Sequence, residues 1–139
     1  MSDDITAIMA TFVAAVNYFN RFQISNWSNL APLLHAEFKM KRLDDPDPNS
    51  YHEGRDTDVQ GYFVTKGKDD QAEFKPIDFP DCKINGDHAV VSGFAWFIDI
   101  TNRVYGGPTP KREIRYRFTF KKSADGNWQV KHSWGEYVS

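Results

Sequence analysis

Near the start of the chain, apolar residues recur every three or four places: Ile5, Ile8, Met9, Phe12, Val13, Val16, Phe19 and Phe22. That is the period of one face of an α-helix, so the pattern predicts an amphipathic helix to about Gln23, with Asp3 or Asp4 as its N-cap. Ser25 and Asn26 break and recap the chain. Trp27, Leu30, Leu33 and Leu34 predict a short second helix, with Pro32 near its first turn, where proline is tolerated. The period then drops to two. Phe38 and Met40 alternate with Lys39 and Lys41, which predicts a half-buried strand over 37–43. Two prolines and several turn formers make 44–51 a loop. Asp56 or Thr57 can cap a third helix carrying Val59, Tyr62 and Phe63. Gly67 ends it, and 68–76 reads as a polar connection.

Strands fill the remainder. The first covers 77–84 and is interrupted by Pro80, which suggests an edge or a bulge. Asn85-Gly86-Asp87 is a favoured hairpin turn. The run 88–100 carries apolar residues at both parities. A loop over 102–110 leads to 112–122, where Ile114, Tyr116, Phe118 and Phe120 alternate with Arg115, Arg117, Thr119 and Lys121. A turn at Ala124–Asn127 precedes the last strand, 128–137. Helices first and hairpin strands after them predict an α+β fold. The alternation over 112–122 implies one wet face, whereas 88–100 implies cover on both. If Val90, Phe94, Trp96, Ile98 and Ile100 face the helices, then Val91, Ala95 and Phe97 lie on the other side. A homodimer would cover them.

Composition narrows the function classes. The 139 residues suit one domain, 1–139, and a net charge of -2 gives no footprint for nucleic acid. The lone Cys82 permits no disulfide framework within the chain. A reducing, cytoplasmic setting is the expectation. No apolar run approaches the roughly 20 residues that span a bilayer, so no membrane partner is expected. His35, His52, His88 and His132 fall on separate elements without ligand-type spacing, so no metal is expected. Asp45, Asp47 and Asn49 mimic the opening of a calcium loop, but Ser50 replaces its glycine and two prolines intervene. Without a phosphate-cradling glycine loop either, no cofactor is expected.

The order helix, helix, strand, helix and four hairpin-linked strands resembles the nuclear transport factor 2-like superfamily. That superfamily includes SnoaL-like cyclases, ketosteroid isomerases, scytalone dehydratase and the kinase association domain. The resemblance rests on the first-helix stripe ending in Asn26-Trp27-Ser28-Asn29-Leu30, on Gly54 before the third helix, and on the stretch from Phe118 through Asp125-Gly126-Asn127-Trp128 to His132. It implies a cystatin-like cone, in which a curved antiparallel sheet wraps the long helix and leaves a pocket at the open end. It also implies frequent dimers. It implies no single activity, because one fold hosts many.

Strand parity selects the candidate site. Met40, Arg42 and Asp44 share a face with Phe38, and Tyr116 shares one with Phe118. His132 and Trp134 share one with Trp128 and Val130, while Trp96 belongs to the set taken as inward. Tyr18 lies beside the helix stripe. Tyr18, Arg42, Trp96, Tyr116, His132 and Trp134 are therefore the ligand-binding candidates, and His132, Asp44 and Tyr18 the catalytic ones. In the resemblance to ketosteroid isomerases, Tyr18 matches the oxyanion-binding tyrosine. Arg42 stands where that family has its carboxylate base, with Asp44 two residues on. Dehydratase-like chemistry would need a histidine oriented by a carboxylate: His132 with Asp44, Asp99 or Glu136. The alternative for His132 is a half-buried core histidine. Arg42 either lines the pocket mouth or snorkels to solvent. Arg115 and Arg117 go to the opposite, solvated face. The resulting expectation is a small-molecule-binding domain with an aromatic pocket for a small organic acid. The alternatives are a cofactor-independent lyase, isomerase or cyclase using the same pocket, and an oligomerisation module.

Overall fold

The computed structural model describes residues 2–20, 27–42, 45, 47–63, 72–78, 80–99, 106 and 110–138. The helical part comprises α1 (Ser2–Asn20), α2 (Trp27–Leu30) and a 3-10 turn (Ala31–Leu33). β1 (Leu34–Lys41) and β2 (Tyr51–Glu53) follow, then the π-helical α3 (Gly54–Val59), which continues as helix over 60–63. The remaining strands are β3 (Ala72–Pro76), β4 (Asp81–Asn85), β5 (His88–Asp99), β6 (Lys111–Lys122) and β7 (Trp128–Tyr137). They form one seven-stranded sheet in the order β2-β1-β7-β6-β5-β3, with β4 also paired to β5. Every pairing is antiparallel except β1 with β7. This is the α+β architecture expected from the pattern.

One face of the sheet, here the inner face, carries the core against α1. Ile114, Tyr116, Phe118 and Phe120 of β6 are buried there, as the alternation predicts, and pack with Ile8, Phe12, Ala15 and Val16 of the helix. The helix stripe is narrower than the pattern suggests, since Ile5 and Val13 are about half exposed at 44% and 52%. Asp4 is no cap. It lies inside the first turn and ties the helix to the sheet, its Oδ1 accepting from Trp128 Nε1 at 3.2 Å and Lys122 Nζ at 3.3 Å. Those bonds, Trp128 first, hold its carboxyl below the usual 3.8.

Three local expectations are corrected. Tyr51–Glu53 pairs with β1 and is strand, not loop. Ala72–Pro76 is also strand, and the next strand begins only at Asp81, after Pro80. The reason is that the long β5 has two partners on one edge: β3 pairs with Ala95–Asp99 and β4 with His88–Ser92. The third correction concerns β5 itself. Its inner residues are Ala89, Val91, Gly93, Ala95 and Phe97, opposite Phe120, Phe118, Tyr116, Ile114 and Arg112 of β6. Val90, Phe94, Trp96 and Ile98 face outward, the reverse of the expected assignment. Space decides it. An added Cβ on Gly93 would meet Tyr116 Oη at 3.0 Å and Cζ at 3.3 Å, so the inner positions must be small where the β6 aromatic rings lie across them. The expected breaks at Ser25–Asn26 and Gly67, the residue Asp44 and most of the loop 102–110 lie outside the described residues.

Candidate functional site

Past the pairs Lys39↔His132 and Met40↔Ser133, the parallel ladder between β1 and β7 stops. A cleft of about 220 Å³ opens there, lined by Lys41, Arg42, Asp45, Pro48 and the end of β7 from Trp134 to Tyr137. The turn after β1 is tightly organised. Arg42 N–H donates to Ser50 O at 3.0 Å, and Lys41 Nζ donates to the carbonyls of Arg42 and Asp45. Asp45 accepts the amide of Asp47, which together with Ser50 and the charges of Arg42 and Lys41 holds its carboxyl low. Arg42 thus lines this cleft.

Beside Arg42 the structure assembles a pair that parity did not find. His52 lies opposite Met40, on the inner side of β2. Gly54, with φ at +95°, turns the chain sharply out of β2 into α3. That turn brings Asp58 back under the strand it follows. Asp58 Oδ2 accepts the Glu53 N–H at 3.0 Å, and Oδ1 lies 3.3 Å from His52 Nδ1. Burial raises the Asp58 pKa, but the bonds from His52 and Glu53 and the charges of His52 and Arg42 outweigh it, so the carboxyl is held low. An ionised carboxylate only accepts, so in the neutral form of the imidazole the proton sits on Nδ1 and the lone pair on Nε2. Tyr62 covers the imidazole with ring centroids 4.4 Å apart. The available signal was a histidine six residues ahead of an aspartate across a glycine; reading 44–51 as loop hid that His52 follows a strand residue.

The candidates from parity separate into three places. Arg42 is at the cleft, which Trp134 of the outer face also lines. Tyr18 and Tyr116 belong to the core: Tyr18 packs against it half-buried, and Tyr116 is 1% exposed. Tyr116 stacks on Phe12 at 5.7 Å and meets Phe74 edge-on at 5.1 Å. Its hydroxyl has no hydrogen-bond partner among the described residues, and burial pushes its pKa up to about 12. Trp96, His132 and Trp134 are on the outer face. Trp96 lies there because β5 is reversed, with Lys111 Nζ 4.6 Å from its ring centre. His132 and Trp134 lie there because of a bulge. Phe120 pairs with Val130 but Thr119 pairs with His132, so Lys131 is an extra residue and inverts every later position of β7. Arg117 then sits 4.9 Å over Trp134, and Tyr51 lies 5.1 Å from His132.

No protein-family profile matches the chain, and no curated protein matches it in sequence. Solved structures do match in shape. A protein of the NTF2-like family from Streptomyces avermitilis, provisionally named a dehydratase, superposes with a TM-score of 0.77 at 15% identity, over 99% of this chain and 98% of that one. A ketosteroid isomerase-like protein from Erwinia carotovora atroseptica gives 0.70 at 17% identity, over 100% and 99%. A cystatin-like protein from Caulobacter vibrioides gives 0.74 at 14%, over 97% and 89%. The chain has the nuclear transport factor 2-like fold. At these identities the likeness establishes the NTF2-like, cystatin-like architecture, and the site has to be argued from this chain's own residues. Among the described residues no helix is long and apolar enough to cross a membrane.

Proposed function

We propose that this NTF2-like domain binds a small organic acid in the cleft between the ends of β1 and β7, and that His52 with Asp58 gives the site general acid–base capacity of the lyase or isomerase kind. The observation that carries the reading is that Arg42, which lines the 220 Å³ cleft, also acts through its charge on Asp58 of the His52–Asp58 pair. A guanidinium matches a carboxylate with two parallel hydrogen bonds, which a point cation cannot do. A neutral imidazole oriented by a carboxylate can remove a proton next to a carbonyl group, or assist loss of water, without a cofactor. In this reading His52 takes the role that parity gave to His132.

The test is calorimetry with short aliphatic and aromatic carboxylates beside their amides, on wild type and Arg42→Ala. Acids binding at least about tenfold tighter than amides, with the preference lost in Arg42→Ala, supports the reading. Equal binding of acids and amides sinks it. For the chemistry, NMR in D2O follows exchange of the bound acid's protons, and His52→Gln should abolish any exchange that wild type catalyses.

We further propose that the protein associates as a homodimer through the outer side of β5. Phe94 is 48% exposed there, flanked by Trp96 and by the Arg115–Glu136 ion pair. A two-fold contact sets a patch against its own copy, so apolar surface beside an ion pair of both signs is self-complementary. Sedimentation as a monomer at micromolar concentration would count against it.

A further inference from the structure

The bulge at Lys131 sets His132 into a second cluster on the outer face, whose Trp134 also borders the cleft. Bulges that re-aim a side chain are features a fold retains for a reason. His132 here has Lys39 as its direct neighbour on β1 and Thr119 on β6. The Tyr51 ring on β2 lies 5.1 Å from the imidazole, and Lys39 Nζ is 4.7 Å from the centre of that ring. Two residues along, Arg117 lies over Trp134. The cations nearby divide into two groups. Arg115 pairs with Glu136, and Lys41 donates to backbone carbonyls. Lys39 and Arg117 have no carboxylate partner among the described residues, although Glu53 stands opposite Lys39 in the ladder. His132 Nε2 is buried and also without a hydrogen-bond partner among the described residues.

Two uncompensated positive charges and an unsatisfied ring nitrogen on three adjacent strands lack one thing, an anion. We propose that Lys39, Arg117 and His132 form a binding site for a small oxyanion, a carboxylate or a phosphate ester, on the outer face of the sheet. The anion pairs with both cations and takes a hydrogen bond from the imidazole, whose buried Nε2 is costly to leave unpaired. Thr119 and Tyr51 border the site with hydroxyls. Without the anion, burial and then the charges of Lys39 and Arg117 hold His132 neutral down to about 4. A bound anion opposes those two charges, so binding raises the imidazole pKa and takes up protons. The groups facing the imidazole are Lys39 from β1, Tyr51 from β2 and Arg117 from β6, with Glu53 one ladder position beyond. Binding of a carboxylate therefore tightens as pH falls from 7 toward 5.

The experiment is a titration of the full chain with sodium benzoate, phenyl phosphate and inorganic phosphate, followed by the histidine side-chain signals in 15N NMR. The expected result is a saturable shift of the His132 signals, weakened about tenfold in Lys39→Gln and in Arg117→Gln and unchanged in Arg42→Ala. Saturation by both phosphates but not benzoate assigns the site to phosphate; saturation by benzoate assigns it to carboxylates. Either supports the proposal. No saturable shift with any of the three up to about 10 mM overturns it. A shift lost in Arg42→Ala and kept in Lys39→Gln also overturns it, because the ligand then sits in the cleft. Among the described residues Lys39 meets the Tyr51 ring and no carboxylate, so Lys39→Gln reports even if Arg117→Gln folds poorly.

Discussion

Acidification from pH 7.5 to 4.5 should weaken the fold through His132. Its imidazole is half-buried between Lys39, Tyr51 and Arg117, and its pKa is lowered from 6.5 to about 4, first by burial and then by the two cations. Above 6.5 it is neutral in both folded and unfolded chains, so its proton contributes no pH dependence there. Between 6.5 and 4 the unfolded chain binds a proton that the folded chain refuses, and stability falls as pH falls. Each pKa unit corresponds to about 1.4 kcal/mol, which sets a ceiling of about 3 kcal/mol for this shift. Water reaches part of the ring, so about 2 kcal/mol is the expected loss. The aspartates held low, such as Asp4, Asp58 and Asp125, act in the same direction, since each loses its native partners only on protonation. Their window lies below 3.8, under most of the imidazole's. The assay is urea unfolding followed by tryptophan fluorescence at intervals from pH 4.5 to 8, on wild type and His132→Gln. Wild type should lose about 2 kcal/mol between pH 7 and 4.5 while the variant loses clearly less. Equal slopes in the two proteins would refute the reasoning. So would wild-type stability that rises on acidification, because that requires a charged, ion-paired His132 in the folded state.

Three further outcomes follow from the same geometry. Tyr116→Phe removes a buried hydroxyl that has no hydrogen-bond partner among the described residues and should stabilise the protein by about 1 kcal/mol in urea unfolding; a loss of that size would reveal a partner for the hydroxyl. Gly93→Ala puts a methyl 3.0 Å from Tyr116 Oη and should cost about 1–3 kcal/mol, with much of that recovered in Gly93→Ala/Tyr116→Phe; strict additivity of the two changes would show that the contact is not the cause. Deleting Lys131 removes the extra residue, so Val130 and His132 alternate as direct neighbours and His132 and Trp134 keep their outer places opposite Thr119 and Arg117. Near-ultraviolet circular dichroism should stay close to that of the wild type, and loss of fixed aromatic packing would show that the ladder needs the bulge.

What could be read ahead of the structure divides along physical lines. The helix stripe around Ile8, Phe12 and Val16 and the alternation of Ile114, Tyr116, Phe118 and Phe120 are signals a period can carry, because one side of each element is wet. β5 carries apolar residues at both parities, so hydrophobicity alone cannot orient it. The deciding feature was volume: Ala89, Gly93 and Ala95 form a small-residue row against which Tyr116 and Phe120 of β6 fit, while Phe94 and Trp96 have room only outside. Small residues at one parity are thus the better guide to the core face of a strand that is apolar throughout. For β7 even that guide fails past Lys131, since parity counted from Trp128 is correct only while the ladder is regular. The two sites follow from these two failures. His52 meets Asp58 because a glycine turn folds the chain back on itself, and His132 meets Lys39 and Arg117 because one extra residue inverts a strand. Neither juxtaposition is periodic, so a period cannot reveal it. Both depend on a local irregularity that places a histidine beside charge, one beside a carboxylate that can orient it as a base, the other beside two cations that hold it neutral. In the two proposed sites the same residue type serves opposite partners, a proton on the inner side and an anion on the outer.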